Sequence, residues 1–176
     1  TTNPDNPNEG EVWYNATDNV LKFQYTNTAA AWSTANGLNV GRLGIMSAIN
    51  GTQTAALAAG GNTGPGTPEI YDGTELYDGS SWTEVNNLNT AREGGAGAGT
   101  QTAALVFGGN LQPGNVANTE SWNGTNWTEV NDLQAANSRM AGAGTQTSAL
   151  SFSGGGNTAN TELYNGTNWT EVNNLN

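Results

Sequence analysis

Apolar residues in this chain come in short runs set between Gly, Asn and Thr, and the runs return in a fixed order. Residues 94–133 show one full round. Gly95-Ala96-Gly97-Ala98 offers almost no side chain, which suits a strand in a crowded place where sheets converge. Ala103-Ala104-Leu105-Val106-Phe107 is continuously apolar, as expected of a strand covered on both faces, and Gly108-Gly109 ends it. Two alternating runs, Asn118–Trp122 and Trp127–Val130, flank Asn123-Gly124-Thr125-Asn126. Asn-Gly tolerates positive φ, so this pair reads as a tight hairpin. The round predicts four antiparallel strands, from a Gly/Ala inner strand to an acidic outer one.

The same round can be registered along the chain. Gly51-Thr52-Gln53-Thr54, Gly99-Thr100-Gln101-Thr102 and Gly144-Thr145-Gln146-Thr147 lie 48 and 45 residues apart. Trp32, Trp82, Trp127 and Trp169 end the third-to-fourth strand turns. Glycine pairs are expected to close the second strands at Gly60-Gly61, Gly108-Gly109 and Gly154-Gly155. A period in the forties with several short strands is the signature of stacked β sheets. The expected organisation is a linker or lead-in arm over 1–10, a three-stranded partial unit over 11–40, and four-stranded units over 41–89, 90–134 and 135–176. In the first of these, Glu11–Tyr14 and Val20–Tyr25 are strands and Trp32 begins a third. Thr63–Gly73, rich in Pro and Gly, is an insertion expected in a rim loop. Variation between units concentrates between strands two and three. The fifteen expected strands leave one edge open, to be filled by further repeats, by a neighbouring subunit, or by stacking in an oligomer.

A Gly doublet after an apolar strand, then an aromatic (Tyr77, Trp122, Tyr164), a turn, a Trp, a Leu and an Arg (Arg42, Arg92, Arg139) resembles the kelch motif. That resemblance implies an all-β, kelch-like β-propeller or partial propeller of about four four-stranded blades, the first lacking its innermost strand. The near-verbatim GTQTAAL and NGTNWTEVN copies are similar to kelch-like repeats in tail-fibre and other virion structural proteins of marine bacteriophages, and the opening EGEVWYNATDNVLKFQY resembles a short module of phage fibre proteins.

Charge then narrows the partners. Four basic residues against 15 acidic ones give a net charge of −11, which argues against nucleic acid and anionic membrane surfaces. No apolar stretch is long enough for a membrane span. There is no Cys, hence no disulfide or thiol chemistry, and no His, the usual base near neutral pH. Carboxylates remain as catalytic candidates. Glu84, Glu129 and Glu171 recur in Trp-Thr-Glu-Val, but repetition at one outer-strand place reads as solubility of an exposed edge rather than as an acid–base pair. Asp72, Asp78 and Asp132 have no metal-loop spacing. No catalytic, cofactor or metal residue is therefore expected.

Arg42, Arg92 and Arg139 are read as repeated ties between blades, since one guanidinium can satisfy several carbonyls or a carboxylate. Trp32, Trp82, Trp127 and Trp169 are read as blade-to-blade packing. Trp13, Tyr71 and Asp72, outside the repeat register, are the candidate surface or glycan-binding residues. These readings together predict a non-catalytic structural and adhesive module of a phage tail or head fibre, in the virion or extracellular, partnered by itself and by cell-surface glycan. A subunit of an extracellular filament or surface layer is the alternative, and a glycan-processing enzyme the third.

Overall fold

A computed structural model describes residues 12–15, 17, 20–23, 35–64, 69–155 and 159–175. Regular structure among them is entirely β. The chain divides into two compact units, Thr1–Thr34 and Ala35–Asn176. In the first, β1 (Val12–Asn15) and β2 (Val20–Phe23) form an antiparallel hairpin with Val12 opposite Phe23. The third strand expected there, with Trp32, lies outside the described residues.

The second unit holds three four-stranded antiparallel meanders. Sheet I contains β3 (Met46–Ser47), β4 (Ala56–Asn62), β5 (Ile70–Tyr77) and β6 (Trp82–Val85). Sheet II contains β7 (Ala96–Thr100), β8 (Ala103–Phe107), β9 (Thr119–Trp122) and β10 (Trp127–Val130). Sheet III contains β11 (Ala141–Thr145), β12 (Ser148–Phe152), β13 (Thr161–Tyr164) and β14 (Trp169–Val172). The hairpin signals decide the outer pairs. Asp78, Asn123 and Asn165 each accept two backbone N–H bonds from the residues that follow, fixing three identical turns.

The inner strands lie side by side, and their small residues make this approach feasible. A Cβ on Gly97 would sit 2.3 Å from the Ser47 oxygen, and one on Gly142 would sit 2.5 Å from the Gly97 oxygen. Each seam between sheets is a separate apolar cluster. Met46, Leu57, Ala59 and Leu88 of sheet I meet Ala104, Val106, Trp122 and Trp127 of sheet II. Leu105, Phe107 and Leu133 of sheet II meet Met140, Ala149, Tyr164 and Trp169 of sheet III. Sheet II thus has a rear face toward sheet I and a forward face toward sheet III, and the equivalent faces of the other two sheets take the same names.

Two expectations are corrected. The Thr63–Gly73 insertion is not simply a rim loop: β4 and β5 lengthen through a bulge between Ala59 and Gly61, and Tyr71 pairs with Gly61 on the strand. The third glycine pair is displaced by one residue, because Ser153, at φ 63°, takes the left-handed place of Gly60 (63°) and Gly108 (62°). The longer first period comes from the three extra residues between Gly61 and Tyr77, compared with Gly109 to Trp122, and sheet I carries a further two residues between Ser47 and Gly51. They carry Asn50 across to the other inner hairpins, where its backbone N–H donates to Gly99 O (2.9 Å) and its Nδ2 to Gly144 O (2.7 Å).

Candidate functional site

The segment that leads from one sheet into the next crosses the rear face of the sheet it enters, and a buried carboxylate receives it. Glu120, on the rear face of sheet II, accepts from Asn89 N and Nδ2 at 2.8 Å and from Arg92 Nη1 at 2.5 Å. Both members of the ion pair are fully buried. Arg92 also donates to Gly108 O and Thr90 O, each at 3.0 Å. Glu75 repeats this in sheet I with Asn39 and Arg42. Burial pushes the Glu75 carboxyl up, but the Asn39 backbone N–H and the Arg42 guanidinium outweigh it and hold the group below the usual carboxylate range.

The third copy differs. Glu162 is buried and accepts from the backbone of Gln134 (2.7 Å) and Ala135 (3.3 Å), with no arginine among its partners in the described residues. Counting back from β11 as from β3 and β7, the place of Arg42 and Arg92 falls to Asn137, whose Nδ2 donates to Ser153 O (3.0 Å). Arg139 stands two residues later, exposed, at φ 55°, in the place of Gly44 and Gly94 (both 65°). Its guanidinium is therefore not the third member of the set, as the sequence spacing suggested. Its backbone N–H donates to Gly94 O (2.5 Å), as Gly94 N–H does to Gly44 O (2.7 Å).

Beside this backbone ladder lies a cavity of about 630 Å³ lined by Leu43, Gly44, Glu93, Gly94, Asn110, Gln112, Asn115, Ser138, Arg139 and Gly155. Its volume is in the range of small-ligand sites. The loop after β8 supplies its amides in fixed positions. Asn110 Nδ2 donates to Asn115 Oδ1 (3.0 Å), Gln112 N to Asn110 Oδ1 (2.6 Å), and Gln112 Nε2 to Glu93 Oε1 (2.9 Å). Amide donors and acceptors, one carboxylate and one guanidinium suit a polyhydroxylated ligand by hydrogen bonding.

The other sequence candidates are dispersed. The ring of Tyr71 lies over Arg42, 5.1 Å from Cζ, and Gly73 makes room, since a Cβ there would meet the ring at 2.0 Å. Burial, and then the charge of Glu84, push the Tyr71 phenol up. Asp72 accepts from Asn87 Nδ2 (3.1 Å) and its carbonyl from Leu88 N–H (3.0 Å). Trp13 lies on β1. Glu84, Glu129 and Glu171 are exposed on outer strands, each paired in register with the buried glutamate beside it.

Of the four tryptophans read as packing between units, Trp127 and Trp169 act at the seams: Trp127 Nε1 donates to Thr74 Oγ1 (2.9 Å) and Trp169 Nε1 to Thr119 Oγ1 (3.1 Å), while Trp82 stacks on Tyr77 within its own sheet. Gln101 and Gln146 reach back to strand carbonyls of the preceding sheet, at Tyr77 O (2.6 Å) and Trp122 O (2.5 Å). Sequence reasoning missed Glu75, Glu120 and Glu162, although Thr-Glu recurs before each aromatic and was the available signal. No group of three or more metal-ligating side chains occurs among the described residues. No protein-family model matches the chain, and no curated protein matches it.

Proposed function

We propose that the chain is a kelch-like β-propeller or partial propeller that serves as a non-catalytic structural and adhesive module of a virion appendage such as a phage tail or head fibre. The observation that carries this reading is how the repeated unit uses its polar groups. The buried carboxylates clasp the segments between sheets, while the loops that differ between units supply the amides around the polar cavity at Arg139. A constant frame with a variable rim suits attachment, and weak rim contacts multiplied over copies give avidity. Glycan at a cell surface is the ligand class that such an amide-rich rim fits.

A glycan array probed with the protein tests the reading: binding to a restricted set, weakened by Arg139→Ala and by Gln112→Ala, is expected, and an array with no binder sinks the adhesive part. Activity on a polysaccharide panel that disappears in Glu129→Gln would overturn the non-catalytic part. The alternative, a subunit of an extracellular filament or surface layer, draws on the apolar forward face of sheet III, where Leu163 is 45% exposed.

A further inference from the structure

The two seams in the second unit are built alike, and among the described residues each half of such a seam also occurs without its partner face. On the forward face of sheet III, Leu150 and Phe152 are half-buried, whereas their equivalents Leu105 and Phe107 are fully buried under sheet III. Leu163 and Leu175 beside them are 45% and 52% exposed, while the leucines equivalent to Leu175, Leu88 and Leu133, are 4% and 5% exposed. Thr161, the equivalent of the two threonines that accept from Trp127 and Trp169, receives no tryptophan among the described residues.

The rear face of sheet I has the complementary groups. Trp82 stacks on Tyr77 at 5.1 Å and 39°, as Trp127 does on Trp122 (5.2 Å, 41°) and Trp169 on Tyr164 (5.1 Å, 40°). Its Nε1 has no partner among the described residues. Gln53, equivalent to Gln101 and Gln146, is exposed and equally without one. An open apolar trough of about 580 Å³ runs along this face, with Ile45, Ala56, Ala58 and Trp82 in its lining.

We infer that the forward face of sheet III binds the rear face of sheet I of a second copy of this chain, head to tail, as a third seam of the same kind. The inference deepens the self-association in the proposed function and rests on that reading. Trp82 of the partner copy would donate to Thr161, and its Gln53 would reach the Ala149 and Tyr164 carbonyls, as Gln101 reaches Ala56 and Tyr77. The partner's rear face comes preassembled, because Arg42 and Asn39 already clasp its lead-in segment onto Glu75. Two local features set the details. Leu38 of the partner is equivalent to Leu175, so residues 173–175 give way to the partner's lead-in segment and Leu175 is dispensable. Ser153 has a Cβ where the glycines of the other seams do not, and a Cβ at Gly108 would lie 2.6 Å from the incoming Asn137 oxygen. Ser153 therefore holds the partner's Arg42 carbonyl off and weakens the seam. A head-to-tail contact closes into rings or grows as a filament, according to its rotation.

Sedimentation velocity over a concentration series tests this with exposed, fold-neutral changes. Wild type is expected to grow in mass with concentration. Leu163→Glu on the forward face and Gln53→Glu on the rear face are each expected to stay monomeric, and their equimolar mixture to form a one-to-one dimer, because each retains the half the other lacks. Ser153→Gly should assemble at lower concentration, and Leu175→Ser should assemble like wild type. A monomeric wild type at every concentration, assembly of Leu163→Glu, or a mixture that stays monomeric would overturn the inference. Glycan binding by a strictly monomeric protein would do so while leaving adhesion standing, and assembly without glycan binding would do the reverse.

Discussion

Replacing Arg92 by Met is the sharpest probe of how the sheets are joined. Met keeps much of the aliphatic stem but removes the donors to Glu120, Gly108 O and Thr90 O. Glu120 stays fully buried, with Asn89 and the Thr90 backbone as its remaining donors. Removing one partner of a buried pair costs about 3–5 kcal/mol, because the other charge is left uncompensated. Against a total stability of about 5–15 kcal/mol this is a large share. It corresponds to a fall in Tm of roughly 10 °C for a domain of this size. Urea unfolding followed by fluorescence of the seam tryptophans reads it directly, and Arg92→Met/Glu120→Gln should recover about 2 kcal/mol of the loss, the coupling expected of residues in contact. Sheet III supplies an internal control, since Asn137 stands where Arg92 does and, among the described residues, Glu162 is held by backbone N–H groups. Arg92→Asn should therefore cost clearly less than Arg92→Met. A Met variant within about 1 kcal/mol of wild type would refute the view that Glu120 depends on the guanidinium.

Three further outcomes follow from the same geometry. Because the Glu75 carboxyl is held below its unfolded value, its contribution is present above about pH 4.3 and is lost as pH falls through the folded value, so urea midpoints should drop below pH 4 and drop less in Glu75→Gln. Burial pushes the Tyr164 phenol up, so the folded state keeps a proton that the unfolded chain releases, and stability should fall above about pH 10; Tyr164→Phe should flatten that limb of the pH–stability curve. Gly108→Ser places a Cβ 2.4 Å from Met140 Cε and 2.6 Å from Asn137 O and should cost about 3 kcal/mol or more, whereas Ser153→Gly relieves a left-handed residue and should stabilise by about 1 kcal/mol, both read by thermal melts.

The architecture was legible because the repeat exposes its own rules. Asn-Gly turns, the apolar second strand and the Gly/Ala inner strand each carry a physical requirement that only a few residue types meet. Departures fell where one residue type meets two requirements. Arg139 looked like the third inter-sheet cation because it stands near Arg92's distance from its tryptophan, yet the backbone placed it at a left-handed position. Asn137 was passed over because it shares no chemistry with arginine beyond a donor long enough to reach a carbonyl. The buried glutamates were hidden by a general expectation that acidic residues on strands face water. That expectation holds for Glu84, Glu129 and Glu171 and fails for their cross-strand neighbours on the same face, since period-2 alternation cannot say how much of that face a passing segment will cover.

The two seams also show that the repeat conserves volume rather than residue identity. At the first, Met46 of the sheet behind fills the space beside Gly60 and Gly95, and a Cβ on either glycine would lie 2.6 Å from the methionine. At the second, the methionine comes from the sheet in front: Met140 would lie 2.4 Å from a Cβ on Gly108, and Ala96 stands where Met46 did. One flexible thioether thus closes each seam from whichever side carries it, with a small residue opposite. Near-identical sheets can therefore vary their sequences in compensating pairs across a seam without altering the spacing that the inner strands require. The frame thus constrains the seams and leaves the loop after β8 free, so under the proposed adhesive function specificity would change at Asn110–Asn115 without disturbing the clasped glutamates.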